Sequence, residues 1–335
     1  MDLKHITKSF RYLDFNYNLV IVNEKEKEDY FINYVNNYII NNNNQIIIDC
    51  EFNPGLKIAL IQINFETKDK EKFIFFISPL VNDKKIIESF RNLLINKKII
   101  KILHGSVGID LPYFFKDILI EKKDRINFIS SLIDTKFLCE YYNIINNLDR
   151  KCKINYFLKD HNILDEELFN NIIKNEEKQG PIYLLTHDIR KLTTEMIDYS
   201  AYDCMFLGHL VNQFDKEIKE LIIPVFRLVL FIKMNVLFDY ELENTKLNKL
   251  NLQKIDNILF VEIYNYLEGY LSDIFQNLLK ITWFKSILIF IIKNFLYLEI
   301  KNQFKLTFFI QYLSFPKLPI LSKLKQEIKL FVNQL

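Results

Sequence analysis

The chain has 335 residues, enough for one large domain or two ordinary ones, and it is 50% hydrophobic and 15% aromatic. With 26% charged residues, this composition excludes an intrinsically disordered protein. The net charge of +2 neither requires nor excludes a polyanionic partner, because an acidic site and a basic surface can cancel in the sum.

The first third of the chain is rich in strand patterns. A strand is predicted over Asn18–Val22, followed by a run of mixed charge and an amphipathic helix that ends at about Ile40. The asparagines at positions 41–44 are typical of a turn, because Asn tolerates unusual backbone angles. Three short β-branched or aromatic segments then predict strands: Gln45–Glu51, Lys57–Phe65 and Lys72–Ser78.

Helices and strands alternate in the next segment. The patterns predict a helix over Asp83–Leu94, a strand over Ile99–Leu103, a helix that opens near Asp110 and a further strand near Phe128–Ile133. Beyond Asp134 the pattern is helical. Strands first and alternation afterwards predict an α/β sheet that is covered by helices on both faces.

The C-terminal third, residues 216–335, has helical periodicity, and we expect an all-helical domain of unknown role after a first domain of residues 1–215. Two stretches, Leu221–Phe238 and Ile281–Ile300, are apolar enough to suggest a membrane span. Each is interrupted by two basic residues: Arg227 and Lys233 in the first, Lys285 and Lys293 in the second. A central Lys or Arg costs roughly 2.5–3.5 kcal/mol on insertion, so we expect no integral membrane association. Peripheral membrane binding is the alternative.

The cysteines and the N-terminus bear on the compartment. The four cysteines form no CxxC pair and have no zinc-ligand spacing with a His: Cys50, Cys139, Cys152 and Cys204. We expect buried free thiols in a reducing compartment. The polar N-terminus lacks the apolar core of a signal peptide, so we expect an intracellular protein.

Two early segments carry acidic residues in positions suited to chemistry. In IIIDCEF, Asp49 and Glu51 are two residues apart on a predicted strand and project from the same face. Like charges this close are tolerable when a divalent cation neutralises them. In KILHGSVGID, two glycines permit a tight turn after a strand, and Asp110 then opens a helix. Taken singly, each acid also fits a structural role at a strand end or a helix N-terminus.

A third segment lies late in the chain. In DYSAYD, Tyr199 and Asp203 are four residues apart and therefore share one face of a predicted helix. Alone, this pattern is equally that of an amphipathic helix with a buried tyrosine.

In this order the three segments resemble the DEDD superfamily of 3′→5′ exonucleases, and most closely its Tyr branch, the ribonuclease D and Werner-exonuclease-like group. The segments ALIQI (59–63) and IDTKF (133–137) are similar to further parts of the family pattern. The other branch has a His five residues before the final Asp, where this chain has Asp198. The resemblance covers about residues 15–215 and implies a ribonuclease H-like mixed sheet flanked by helices.

The resemblance also implies an activity and a site. The expected protein is a metal-dependent 3′→5′ exonuclease that hydrolyses terminal phosphodiesters of RNA or DNA and releases nucleoside monophosphates. Two Mg²⁺ or Mn²⁺ ions, held about 3.5–4 Å apart in such sites, would bind to Asp49, Glu51, Asp110 and Asp203, and Tyr199 would orient the attacking water. The implied partner is a nucleic acid with a free 3′ end.

Substrate contacts are less defined by the sequence. Two groups of basic residues could follow a nucleic-acid strand or could be solvated surface charge: Lys97, Lys98 and Lys101, and Lys122, Lys123 and Arg125. The substrate-binding candidates are Lys101 and His104, although a structural hydrogen-bonding role also fits His104.

Two features depart from the family pattern: the long segment before DYSAYD, and Arg190-Lys191-Leu192, where the family has Arg-Pro-Leu. The alternative function is that of a non-catalytic RNA-binding adaptor on the same domain.

Overall fold

The computed structural model describes residues 3–41, 45–54, 57–179 and 185–215, together with Ile223, Phe226, Arg227 and Leu230. Most of the predicted asparagine turn and nearly all of the predicted helical domain of residues 216–335 lie outside these residues. The chain divides into two compact units, Met1–Cys139 with Lys151–Phe214, and Glu140–Arg150 with Asp215–Leu335. Within the described ranges, no helix is both long enough and apolar enough to cross a membrane.

The described chain opens with a 3₁₀ turn at Leu3–His5. The strands are β1 (Lys8–Tyr12), β2 (Phe15–Ile21), β3 (Gln45–Asn53), β4 (Lys57–Glu66), β5 (Glu71–Ile77), β6 (Ile100–Leu103) and β7 (Leu132–Asp134). The helices are α1 (Lys25–Ile40), α2 (Lys84–Ile95), α3 (Asp110–Asp117), α4 (Lys122–Ile129), α5 (Thr135–Ile145), α6 (Ile154–Asp160), α7 (Glu166–Gln179), α8 (Thr194–Met205) and α9 (Leu207–Gln213).

The strands form one seven-stranded sheet in the order β1-β2-β5-β4-β3-β6-β7. Strand β3 lies in the interior of the sheet, where it pairs antiparallel with β4 and parallel with β6. The pairs β1/β2 and β4/β5 are antiparallel, whereas β2/β5 and β6/β7 are parallel. This confirms the predicted mixed sheet flanked by helices, of the ribonuclease H type.

Aromatic side chains fill the layer between α1 and the sheet. The ring centroid of Tyr34 in α1 is 5.0 Å from that of Phe65 in β4 and 5.1 Å from that of Phe75 in β5. Phe31 adds an edge-on contact with Phe75 at 5.3 Å. Tilted and edge-on pairs at these distances contribute roughly 0.5–1.5 kcal/mol each beyond burial. The apolar runs that predicted these strands are therefore buried against a matching helix face.

Two parts of the N-terminal half differ from the sequence prediction. Strand β1 was not predicted, because its polar, basic sequence lies at the sheet edge, where one side stays solvated. The strand predicted near Phe128–Ile133 is shorter in the structure, since Phe128 and Ile129 belong to α4 and β7 begins at Leu132. Helix α4 is held by distant contacts: Asp124 is buried against the guanidinium group of Arg91. A local pattern does not contain such contacts.

The cysteine prediction is corrected for two of the four residues. Cys139 and Cys152 form a disulfide with a Cα–Cα distance of 5.8 Å, whereas Cys50 and Cys204 are free and buried as expected. The separation of 13 residues gave no recognisable motif, because the pairing joins Cys139 of α5 to Cys152 in the segment before α6.

Candidate functional site

Two carboxylates of the site come from the same strand. Asp49 and Glu51 alternate with buried Cys50 on β3, so both acids face α8 while Cys50 faces the other side. Their cross-strand partners on β4 are Gln62 and Leu60, respectively. The register of the β3/β4 pair shifts directly after Glu51, and such an irregularity re-aims the residues beside it.

Helix α8 supplies the third carboxylate. The nearest carboxylate oxygens of Asp49, Glu51 and Asp203 lie within 4.8 Å of one another. Thr193 begins this helix by accepting a hydrogen bond from the backbone N–H of Met196 at 3.3 Å. Tyr199 lies one turn before Asp203 and shares a hydrogen bond with its carboxylate.

A buried carboxylate shapes the turn that leads to Asp110. Asp134, at the end of β7, accepts hydrogen bonds from the backbone N–H of Gly105 at 2.9 Å and from the N–H and hydroxyl of Ser106 at 2.8 and 2.7 Å. Gly105 has φ = 72°, a left-handed conformation that favours glycine. The folded turn then places Asp110 as the first residue of α3. Asp110 is close enough for its charge to affect Asp49, although it lies outside the group of three.

Burial and neighbouring charges raise the pKa of all four acids. Burial raises the pKa of Asp49 to about 8, with a further contribution from the charge of Asp110. Burial and then the charge of Asp134 raise the pKa of Asp110 to about 7. Burial, followed by the charge of Asp49, raises the pKa values of Glu51 and Asp203 well above their ordinary range. Without a cation, this arrangement opposes full ionisation of the cluster.

The residues fit a divalent cation. The cluster offers only carboxylate oxygens, the donors that Mg²⁺ and Mn²⁺ prefer. Unsatisfied polar atoms also surround it: both amide atoms of Gln62, across from Asp49, and Nδ1 of His187 are buried without a hydrogen-bond partner among the described residues. Buried polar atoms are normally satisfied, so this side of the sheet is suited to water or an ion.

Three residues of this site were not found from the sequence. Ser200 donates to Oε1 of Glu51 at 3.3 Å, His187 approaches Oε2 of Glu51, and Gln62 faces Asp49 across the strand pair. The ALIQI segment, which contains Gln62, was one available signal. The contacts of the other two residues depend on chain folding.

The predicted substrate-binding residues have internal contacts. Lys101 is fully buried, and its ammonium group donates to the carbonyl of Asn96 at 2.6 Å and to the Ser131 hydroxyl at 2.8 Å, which corrects the prediction that it contacts substrate. His104 is half-buried, with Nε2 donating to the Cys152 carbonyl at 3.3 Å. This matches the structural alternative for His104.

The two groups of basic residues contain both internally bonded and exposed side chains. The guanidinium group of Arg125 donates to the carbonyls of Phe115 and Leu119, both at 2.8 Å. The remaining four lysines are exposed and stay candidates for strand contacts: Lys97, Lys98, Lys122 and Lys123.

The raised pKa values predict a pH-dependent stability. A carboxyl whose pKa is raised in the folded state binds its proton more tightly there, so the free energy of unfolding decreases as the pH rises from about 4. For Asp110 and Asp49 the decrease ends near their folded pKa values of about 7 and about 8. In EDTA, the melting temperature should therefore fall between pH 5 and 8 by less in Asp49→Asn than in the wild type. Parallel curves for the two proteins would contradict this.

The mixed sheet thus carries a carboxylate cluster that is suited to a divalent cation. The family model for 3′-5′ exonucleases matches residues 19–219, more than half of the chain. The chain belongs to this 3′-5′ exonuclease family, within the DEDD superfamily.

Several known proteins are similar to parts of the chain. "Uncharacterized protein L533" of Acanthamoeba polyphaga mimivirus is 31% identical over 209 residues, which are 57% of this chain and 40% of that protein. The chain thus spans less than half the length of this relative. The Nibbler EXO domain of Aedes aegypti is 14% identical, with a TM-score of 0.39, covering 64% of this chain and 93% of that one. NrnC of Brucella melitensis is 15% identical, with a TM-score of 0.34, covering 52% and 74%.

Proposed function

We propose that this protein is a divalent-metal-dependent 3′→5′ exonuclease of the Tyr branch, similar to the ribonuclease D and Werner-exonuclease-like group. Its substrate would be a single strand of RNA or DNA with a free 3′ end, and its products nucleoside monophosphates. The observation that carries the proposal is the cluster of Asp49, Glu51 and Asp203 within 4.8 Å, with Tyr199 and Asp110 beside it.

The assignment to the Tyr branch is supported by two positions on α8. Tyr199 is hydrogen-bonded to Asp203 and faces the cluster, as the branch pattern requires. Asp198, which occupies the position of the histidine in the other branch, is instead paired with Lys8 of β1. A residue held by that ion pair is not available to act on a nucleotide at the cluster.

Each side chain has a separate proposed role. Asp49, Glu51 and Asp203 would hold one cation, and Asp49 with Asp110 would hold the second. When bound, the cations neutralise these acids, activate a water molecule and stabilise charge on the leaving oxygen. Burial and the charges of neighbouring acids raise the pKa of Tyr199 well above its ordinary value, so its phenol keeps its proton. With its O–H given to Asp203, the phenol oxygen can still accept a hydrogen bond from the attacking water and so orient it.

A cleavage assay on the full chain tests this function. Single strands of RNA and DNA with the same sequence and a 5′ label should be shortened stepwise from the 3′ end in Mg²⁺ or Mn²⁺ and remain intact in EDTA. A strand with a 3′ phosphate is the matched control and should be trimmed much more slowly. Internal cuts, or equal rates in EDTA, would refute the proposal. Strand binding without cleavage under all metal conditions would instead support the adaptor function.

A further inference from the structure

A histidine outside the predicted catalytic set lies against the carboxylate cluster. The Nε2 atom of His187 is 3.9 Å from Oε2 of Glu51, and the side chain is only 2% exposed. Its Nδ1 atom has no hydrogen-bond partner among the described residues. Buried polar groups normally have a hydrogen-bond partner. For this imidazole ring, the carboxylate of Glu51 is the polar group that Nε2 approaches.

The backbone of His187 is fixed to the strand that carries Glu51. Its N–H donates to Oδ1 of Asn53 at 2.6 Å, and its carbonyl accepts from Nδ2 of Asn53 at 3.2 Å. Asn53 is the last residue of β3. This two-point attachment ties the segment before α8 to β3, so the position of the imidazole relative to Glu51 is defined by the fold.

We propose that His187 is a positioning residue that orients the carboxylate of Glu51 for metal binding by donating a hydrogen bond from Nε2. A neutral imidazole carries one N–H, and Glu51 offers it a strong acceptor. A movement of about 1 Å would shorten the present separation to an ordinary hydrogen bond. The inference rests on the proposed function only in taking Glu51 as a metal ligand.

Glu51 is an acid of the cluster that is held by few donors. Burial, followed by the charges of Asp49 and Asp203, disfavours its ionised form. The hydroxyl of Ser200 already holds Oε1 at 3.3 Å. With His187 on Oε2, each oxygen has its own donor and the carboxylate plane is fixed. Outer residues that orient a metal ligand typically contribute about 10–100-fold to metal affinity or activity.

Three variants of the full chain test the position of the donor. The amide nitrogen of Gln can reach the place of Nε2, whereas that of Asn reaches only the place of Nδ1. Titration calorimetry with Mn²⁺ should therefore show affinity close to wild type for His187→Gln. His187→Asn and His187→Leu should bind Mn²⁺ roughly 10–100-fold more weakly.

A half-buried histidine provides the control. His209 of α9 bonds through Nε2 to the Tyr17 hydroxyl at 2.7 Å and is not a member of the carboxylate cluster. His209→Leu should lower the melting temperature without changing Mn²⁺ affinity. If it weakens Mn²⁺ binding as much as His187→Leu, the effect is a general loss of packing and the proposal is wrong. Equal affinity in all three His187 variants, or Gln as weak as Leu, would also overturn it.

The metal titration separates this inference from the proposed function. A wild-type protein that binds Mn²⁺ but does not cleave any strand would refute the exonuclease proposal, while the Gln and Asn variants would still decide the role of His187. An active wild type with unchanged Mn²⁺ affinity in His187→Asn would refute the inference alone. A wild type that binds no Mn²⁺ would refute both.

Discussion

Asp49→Asn should reduce exonuclease turnover by about a thousandfold or more, since metal ions supply several kcal/mol of transition-state stabilisation and each ~1.4 kcal/mol is a factor of ten. Asp49 joins the cluster of three and also interacts with Asp110, so it is the residue through which both proposed cation positions are connected. The change to Asn keeps the side-chain volume and removes the charge. Single-turnover cleavage of a labelled strand in Mn²⁺ measures the loss.

Asp198→Asn is the matched control for this prediction. It removes one carboxylate from the same helix that carries Asp203, but Asp198 is paired with Lys8 rather than with the cluster. Its activity should equal that of the wild type. If the Asp49 variant cleaves at the wild-type rate, the cluster is not the catalytic centre. If Asp198→Asn is as inactive as Asp49→Asn, the assignment to the Tyr branch is wrong.

The predictions that succeeded for the fold depend on local sequence. The bounds of β3, β4 and β5 lie within two residues of the predicted ones, because each segment is short, β-branched or aromatic and bounded by polar or glycine-containing turns. Helix α2 follows its apolar periodicity and begins at Lys84, directly after Asp83, which caps the helix by accepting from the N–H of Lys85 at 2.9 Å. Propensity, periodicity and capping agree in these segments.

The predictions that failed depend on contacts between distant residues. Lys101 sits on β6, which is covered on both sides, and its ammonium group is satisfied by Asn96 and Ser131. A buried ammonium group is stable only when it is hydrogen-bonded. Because the sequence does not reveal those partners, a lysine on a short strand is predicted to be exposed. The Cys139–Cys152 disulfide is similar, because pairing depends on how α5 and the start of α6 meet.

In the candidate site, too, the residues that follow a local sequence pattern could be predicted, and those that depend on distant contacts could not. Asp49, Glu51, Asp110, Tyr199 and Asp203 could be named because their spacings resemble a family pattern, and the structure brings three of these acids together with the other two residues beside them. Their individual roles stay predictions. The supporting residues could not be named, since Asn53 and His187 are 134 residues apart and no spacing rule connects them.

Tyr199→Phe should lower turnover by roughly 10²–10⁴-fold, the usual range for a group that positions or transfers a proton, without abolishing Mn²⁺ binding. The raised pKa of Tyr199, caused first by burial and then by the charge of Asp203, keeps the phenol neutral. A neutral phenol beside three carboxylates is a hydrogen-bond donor and a poor metal ligand. Removing its hydroxyl should therefore affect the chemical step and spare the binding of the cation.

Tyr202→Phe is the control for the hydroxyl itself. Tyr202 lies on the same helix, but its ring packs on Phe10 at 5.7 Å and on Phe206 at 5.9 Å, and the charge that acts on its hydroxyl is that of Asp198, outside the cluster. Single-turnover rates and calorimetric Mn²⁺ titrations of both variants separate catalysis from binding. Equal rates in the two variants would remove Tyr199 from the mechanism. Loss of Mn²⁺ binding in Tyr199→Phe alone would place the phenol within the metal centre and make water positioning the wrong role.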